Sequence, residues 1–154
     1  MTESNVPRAV TLVEASITAL GIDPAQSRIA TPDGSNGYAL RRGSAAIYVA
    51  VHPAAQGAAE GTVRVVAPVV RVTPGDKEAA LYKRLLEANA SEVIGVAFGL
   101  REGEVVLVAE RSVKDLDQSE IDSMIRSVGR VADRFDDVLA KEFGAQRSSD
   151  PKKP

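Results

Sequence analysis

The chain of 154 residues carries 19 basic and 21 acidic side chains, a formal net charge of −2, and is 44% hydrophobic but only 4% aromatic. This length predicts one domain that closes its core without metal or disulfide, and the charge balance argues against general nucleic-acid binding, which needs a clustered positive surface. With no Cys and the single histidine His52, a disulfide framework, a thiolate zinc site, a Cys nucleophile and a His-pair metal site are excluded.

Glu3, Arg8 and Glu14 interrupt the first twenty residues, so no hydrophobic stretch there reads as a signal peptide. The charge-free run 43–59 is broken by His52, Pro53, Gln56 and glycine and falls short of a membrane span. The expectation is a cytoplasmic chain with neither membrane nor nucleic-acid partner.

The first predicted element is a helix. Asn5 stands where a cap would, Pro7 suits the first turn, and Val6, Val10, Val13, Ile17 and Leu20 repeat at helical spacing before Gly21. Residues 22–37 are dense in turn formers, among them Pro24, Pro32, Asp33-Gly34 and Asn36-Gly37. Strands follow over 38–42 and 45–52, joined by a tight turn at Gly43-Ser44. In the second, Ile47, Val49 and Val51 face one way while Tyr48, Ala50 and His52 face the other. After a loose loop at 53–61, residues 62–72 form a Val-rich strand in which Pro68 demands an edge position or a bulge.

A second helix is expected from Thr73-Pro74 to about Asn89, with Leu81, Tyr82, Leu85 and Leu86 as its apolar stripe. Strands 92–100 and 104–110 then pair across a hairpin at Arg101-Glu102-Gly103. The last helix opens on the capping pair Asp117 and Glu120. Ile121, Ile125, Val128, Ala132, Phe135, Leu139 and Phe143 continue it to Gly144. The fold class is therefore α+β, ordered α-βββ-α-ββ-α, with a mainly antiparallel five-stranded sheet packed by helices. Residues 1–144 read as a single domain and 145–154 as a disordered polar tail.

No arrangement of residues supplies a reaction. There is no Gly-x-Ser-x-Gly elbow and no phosphate loop, and His52 reads as a solvated strand-end side chain. The stretch from Asp33 to Gly37 echoes a calcium loop, but its twelfth position is Ser44 rather than Glu. The pairs Asp115/Asp117, Asp136/Asp137 and Glu102/Glu104 read as caps or solvated faces. No catalytic residue, metal or cofactor is predicted. Arg41, Arg42, Arg64, Arg71 and Arg101 form at most a local basic patch.

The sheet is more informative. Alternation puts Ile94, Val96, Phe98 and Leu100 toward the helices and leaves Val93, Gly95, Ala97 and Gly99 on the other face. Tyr48, Ala50 and either Val105 and Leu107 or Val106 and Val108 join that face from neighbouring strands. Both faces are then apolar, whereas a half-solvated antiparallel sheet normally alternates. Either a helix covers each face, or part of the surface meets a second copy or an extended peptide.

The run Val96-Ala97-Phe98-Gly99-Leu100-Arg101-Glu102-Gly103-Glu104-Val105-Val106-Leu107, followed by Leu116-Asp117 and the capped last helix, resembles the YbjN family within the type III secretion chaperone-like fold. The likeness covers residues 5–144 by pattern, with its text in 93–143. It implies a non-enzymatic domain, commonly a homodimer. Secretion chaperones of this fold hold extended client segments against apolar patches and sheet edges, and YbjN-type proteins are linked to regulation or sensory transduction. The expected partners are thus a second copy and a protein or peptide client. Tyr48, Val93, Gly95, Ala97 and Gly99 on the sheet and Leu81, Tyr82 and Leu85 on the second helix are the candidate contacts. The alternative is a small-molecule-sensing regulator with a cavity between sheet and helices, rimmed by Tyr38, Tyr48, Arg41 and Arg42.

Overall fold

The computed structural model describes residues 5–152, so Glu3 and the last two residues of the expected tail lie outside the described residues. The elements are α1 (Val6–Ala19), α2 (Pro24–Ser27), β1 (Arg28–Ile29), β2 (Asn36–Arg42), β3 (Ala45–His52), β4 (Thr62–Arg71), α3 (Glu78–Ser91), β5 (Ala97–Arg101), β6 (Glu104–Ser112), α4 (Gln118–Phe143) and β7 (Gln146–Arg147). All pairings are antiparallel. The sheet has seven strands rather than five, ordered β1-β2-β3-β4-β6-β5, with β7 added to β4. The two extra strands are two residues each, too short to carry a period.

Helix α4 forms where the sequence places it. The Asp117 carboxylate accepts from the Glu120 amide, and the Glu120 carboxylate accepts from the Asp117 amide, both at 2.9 Å. Its buried stripe, Ile121, Ile125, Val128, Ala132, Phe135 and Leu139, lies on one face of the sheet. Gly129 permits the close approach: a Cβ there would stand 3.0 Å from both Arg42 Cδ and Ile47 Cδ1. Tyr38, Leu40, Ile47, Val49, Val51, Val63, Val65, Ala67, Phe98, Val105 and Leu107 fill this inner face and are buried. Phe98 meets Phe135 edge to face at 4.8 Å. Helix α1 adds Ala9, Val13 and Ile17 beside α4, and α3 packs at the β5 end with Leu81, Leu85 and Ala88.

Several expectations are corrected. Helix α3 starts at Glu78, not at Thr73-Pro74, because Gly75 turns the chain first. Of the two expectations for Pro68 the bulge holds: it sits in the interior strand β4, with a register shift between Pro68 and Val70. Strand β5 starts at Ala97, five residues later than expected. Gly95 is left-handed (φ 70°), and this breaks the alternation read from residue 92. Ile94 and Leu100, expected inward, are 90% and 54% exposed.

The segment 145–152 is no disordered tail. Ala145 is buried, Gln146–Arg147 pair with Val70 and Arg71, and the Ser148 amide donates to the Val69 carbonyl at 2.9 Å. The Arg71 guanidinium donates to the carbonyls of Arg147, Ser148 and Asp150 at 2.9–3.3 Å. Strand β4 provides the vacant edge, since its ladder with β3 stops at Tyr48↔Val66.

Candidate functional site

The strand registers order the outer face of the sheet into rows. One row reads Ala39, Tyr48, Val66, Val108 and Ala97 across β2, β3, β4, β6 and β5. Beside it Pro68, Val106 and Gly99 form a second apolar row. Arg64 and Glu110 pair along one flank. On the other, Arg71 faces Glu104 at 3.7 Å and Arg101 stands next in register. Among the described residues no carboxylate pairs with Arg101 or Arg41.

Among the described residues the helices leave this face open. Helices α1 and α4 bury the inner side and α3 lies against β5. Tyr48 is therefore 38% exposed, Ala97 and Gly99 are exposed, and only Val66 and Val106 are enclosed by their neighbours. The 30–35 loop rises along the β2–β3 flank and makes a hollow of about 470 Å3, with Ile29, Pro32 and Asp33 facing Tyr48, Ala50 and Val66. The loop is tied down by Asp33, whose carboxylate accepts from the Ser35 amide at 3.1 Å and meets His52 Nδ1 at 2.9 Å. Ser35 chiefly, then His52, holds the Asp33 carboxyl far below the usual carboxylate range. His52 is thus a tether for the loop rather than a free strand-end side chain.

The structure divides the expected contacts. Tyr48, Ala97 and Gly99 share the open face, joined by Val66, Val106 and Val108. Val105 and Leu107 point into the core. Val93 and Gly95 fall off the sheet, in the turn before β5. Leu81 and Leu85 are core, at 3% and 6% exposure. Tyr82 is half-buried and donates to Glu78 at 2.7 Å. The expected cavity rim also splits: Tyr38 is fully enclosed, and Arg42 packs on Gly129 of α4. Arg41 and Tyr48 do share a cleft, which reaches α4.

A second apolar surface lies where α3 meets β5. Leu86 and Leu100 are exposed there and, with Tyr82, Leu85 and Phe98, line a groove of about 200 Å3. The β5 edge is partly closed: the Phe98 amide donates to Asn89 Oδ1 at 2.7 Å, and Asn89 Nδ2 donates to the Phe98 carbonyl at 3.2 Å. One side chain thereby takes the place of a neighbouring strand.

No helix among the described residues is long and apolar enough to cross a membrane. No curated protein matches the sequence. The family model described as TY-Chap1, T3SS (YopN, CesT) and YbjN peptide-binding chaperone 1, matches residues 8–151. The chain is similar to a structure of the ExsC–ExsE complex at 15% identity and TM-score 0.64, over 88% of this chain and 96% of that chain. It is similar to a structure of the HopA1–SchA chaperone–effector complex at 11% identity and TM-score 0.56, over 84% and 93%. The Yersinia pestis type III secretion chaperone SycH, solved with a fragment of YscM2, is 16% identical with TM-score 0.52, over 80% and 96%. These likenesses establish the fold.

Proposed function

The chain belongs to the TY-Chap1 family of type III secretion and YbjN peptide-binding chaperones, and from that premise we propose that it works in the cytoplasm as a non-enzymatic homodimer that holds extended client segments on its open sheet face. The observation that carries this reading is the asymmetry of the sheet. Its inner face is covered by helices, while the outer face carries two apolar rows between charged flanks and leaves Tyr48, Ala97 and Gly99 open to solvent. An exposed apolar patch bordered by polar groups is a docking surface by its energetics.

The long row crosses five strands about 4.8 Å apart, so it spans roughly 19 Å, the length of five or six extended residues. Such a segment would set its apolar side chains against Val66, Val108 and Ala97. Its polar ones would reach Arg64 and Glu110 on one side and Arg101 on the other. Binding across the face, rather than by strand addition at β5, agrees with the capping of that edge at Phe98 by Asn89. Chaperone–effector pairs among the structural neighbours support a protein client.

The test is Ala97→Glu, which puts a charge into the row at an exposed position where folding is little affected, within about 0.5 kcal/mol. Suppression of the aggregation of reduced insulin should fall at least several-fold, with an unchanged circular dichroism spectrum. Full retention of that suppression would sink the reading. Loss of the folded spectrum would make Ala97 a core position, with the same consequence.

A further inference from the structure

Beyond the last pairing of β3 with β4, at Tyr48↔Val66, the C-terminal segment 145–152 takes the vacant side of β4. Gly144, left-handed at φ 65°, ends α4 and turns the chain back onto the sheet. Gln146 and Arg147 then stand opposite Arg71 and Val70, and the Ser148 amide donates to the Val69 carbonyl at 2.9 Å. Ser148 and Ser149 line a cleft together with Tyr48 and Pro68, one residue from each apolar row of the outer face. The segment therefore abuts the surface proposed for the client.

Its attachment is polar and incomplete. Ala145 is the only buried residue among 145–152, so this stretch is ordered with little apolar area in return. Arg147 pairs with Asp137 and Asp150, but these side chains are 40–73% exposed, and ion pairs so open to water contribute little. The firmest hold is the Arg71 guanidinium, which donates to the carbonyls of Arg147, Ser148 and Asp150. At the same seam Arg71 Nε and the Ser148 hydroxyl are buried with no hydrogen-bond partner. Burying a polar atom unpaired opposes the closed arrangement, and opening returns both atoms to water. A segment with so few apolar contacts opens before the core strands do. Opening also uncovers the backbone of β4 at residues 69–71 on the side where β3 has already departed.

We infer that residues 145–152 are a releasable strap over a strand-docking edge of β4. Closed, the strap supplies its own backbone to residues 69–71. A client segment that lies on the outer rows and continues past Tyr48 and Pro68 displaces it and pairs there instead. The inference rests on the client reading above and adds its regulation. The strap competes with every client from within the same molecule, so apparent affinity scales with the fraction of molecules in which it is open.

The experiment is amide hydrogen exchange on the isotope-labelled full chain, alone and with reduced, carboxymethylated α-lactalbumin as an extended client. Alone, the Ser148 amide should exchange about a hundredfold faster than that of Val65, where β4 is paired on both sides. Saturating α-lactalbumin should speed Ser148 exchange about tenfold further and leave Val65 unchanged. Ser148→Pro deletes the amide that holds Val69. It should tighten α-lactalbumin binding about tenfold in fluorescence anisotropy, with an unchanged circular dichroism spectrum. Should that variant lose its fold, exchange in the parent decides alone. Equal exchange at Ser148 and Val65 would mean that the segment opens only with the whole fold, and there is no strap. Client binding that leaves Ser148 exchange unchanged, or equal affinity in folded Ser148→Pro, overturns the strap and spares the client reading. Absence of binding by both parent and variant overturns the client reading and, with it, the strap's role.

Discussion

Tyr38 shows how far a side chain's fate depends on residues distant in sequence. Its ring is fully buried, its hydroxyl donates to Glu14 Oε1 at 2.8 Å, and the Arg28 guanidinium lies 5.4 Å over the ring while pairing with the same carboxylate. Burial first, then Glu14, pushes the phenol up to about 12. The folded chain therefore holds this proton more tightly than the unfolded chain. Its contribution to stability is complete below pH 10 and is lost as pH climbs from 10 toward 12. Tyr38→Phe should cost about 1 kcal/mol at pH 7, and urea unfolding should show its difference from the parent shrinking by pH 11. A constant difference would mean that the hydroxyl does not titrate in this window. The sequence reading placed Tyr38 at a cavity rim because strand alternation cannot see a carboxylate 24 positions away on α1. His52 is a second such case, since its partner Asp33 lies 19 residues earlier in a loop.

Elements with a long period or a local cap were legible, and those defined by a vacant edge were not. Helix α4 carries its capping box and stripe in its own residues, and Pro68 announced an irregularity that became a bulge. By contrast, β7 exists because β3 leaves β4 beyond Val66, and α2 is one turn begun by Asp23 accepting from the Ala25 amide. The open sheet face was half legible. Alternation gave Tyr48, Ala97 and Gly99, but choosing Val106 and Val108 over Val105 and Leu107 required the register. Asn89 was expected only to stop a helix, yet it closes the β5 edge at Phe98. Asn89→Leu would leave that backbone pair unsatisfied where the edge meets α3, costing about 1–3 kcal/mol, and would open the strand to other chains. Light scattering should then show concentration-dependent association absent from the parent. An unchanged mass and midpoint would show that water replaces Asn89 without consequence.

At the scale of the molecule, three long helices are enough to cover both sides of the sheet, yet α1 and α4 take the inner face and α3 the β5 end. Two apolar surfaces remain, the outer rows and the α3–β5 groove with Leu86 at 68% exposure and Leu100 at 54%. Their shapes suit different partners. The rows are long and flanked by charge, which suits an extended segment. The groove sits beside an edge that Asn89 caps at Phe98, so a second copy docked there would pack side chains rather than continue the sheet at that residue. A stable dimer buries about 800 Å2 per partner, more than Leu86 and Leu100 alone provide, so a self-contact there would also use Tyr82 and the α3 surface around it. Light-scattering mass across a concentration series should give twice the chain mass for the parent and a single chain mass for Leu86→Lys. The substitution is at an exposed helix position, so the thermal midpoint of the monomer should be unaffected. A parent that stays monomeric removes the groove as a self-contact. A dimer that survives Leu86→Lys but is lost with Ala97→Glu would place the second copy on the sheet face, in competition with the client.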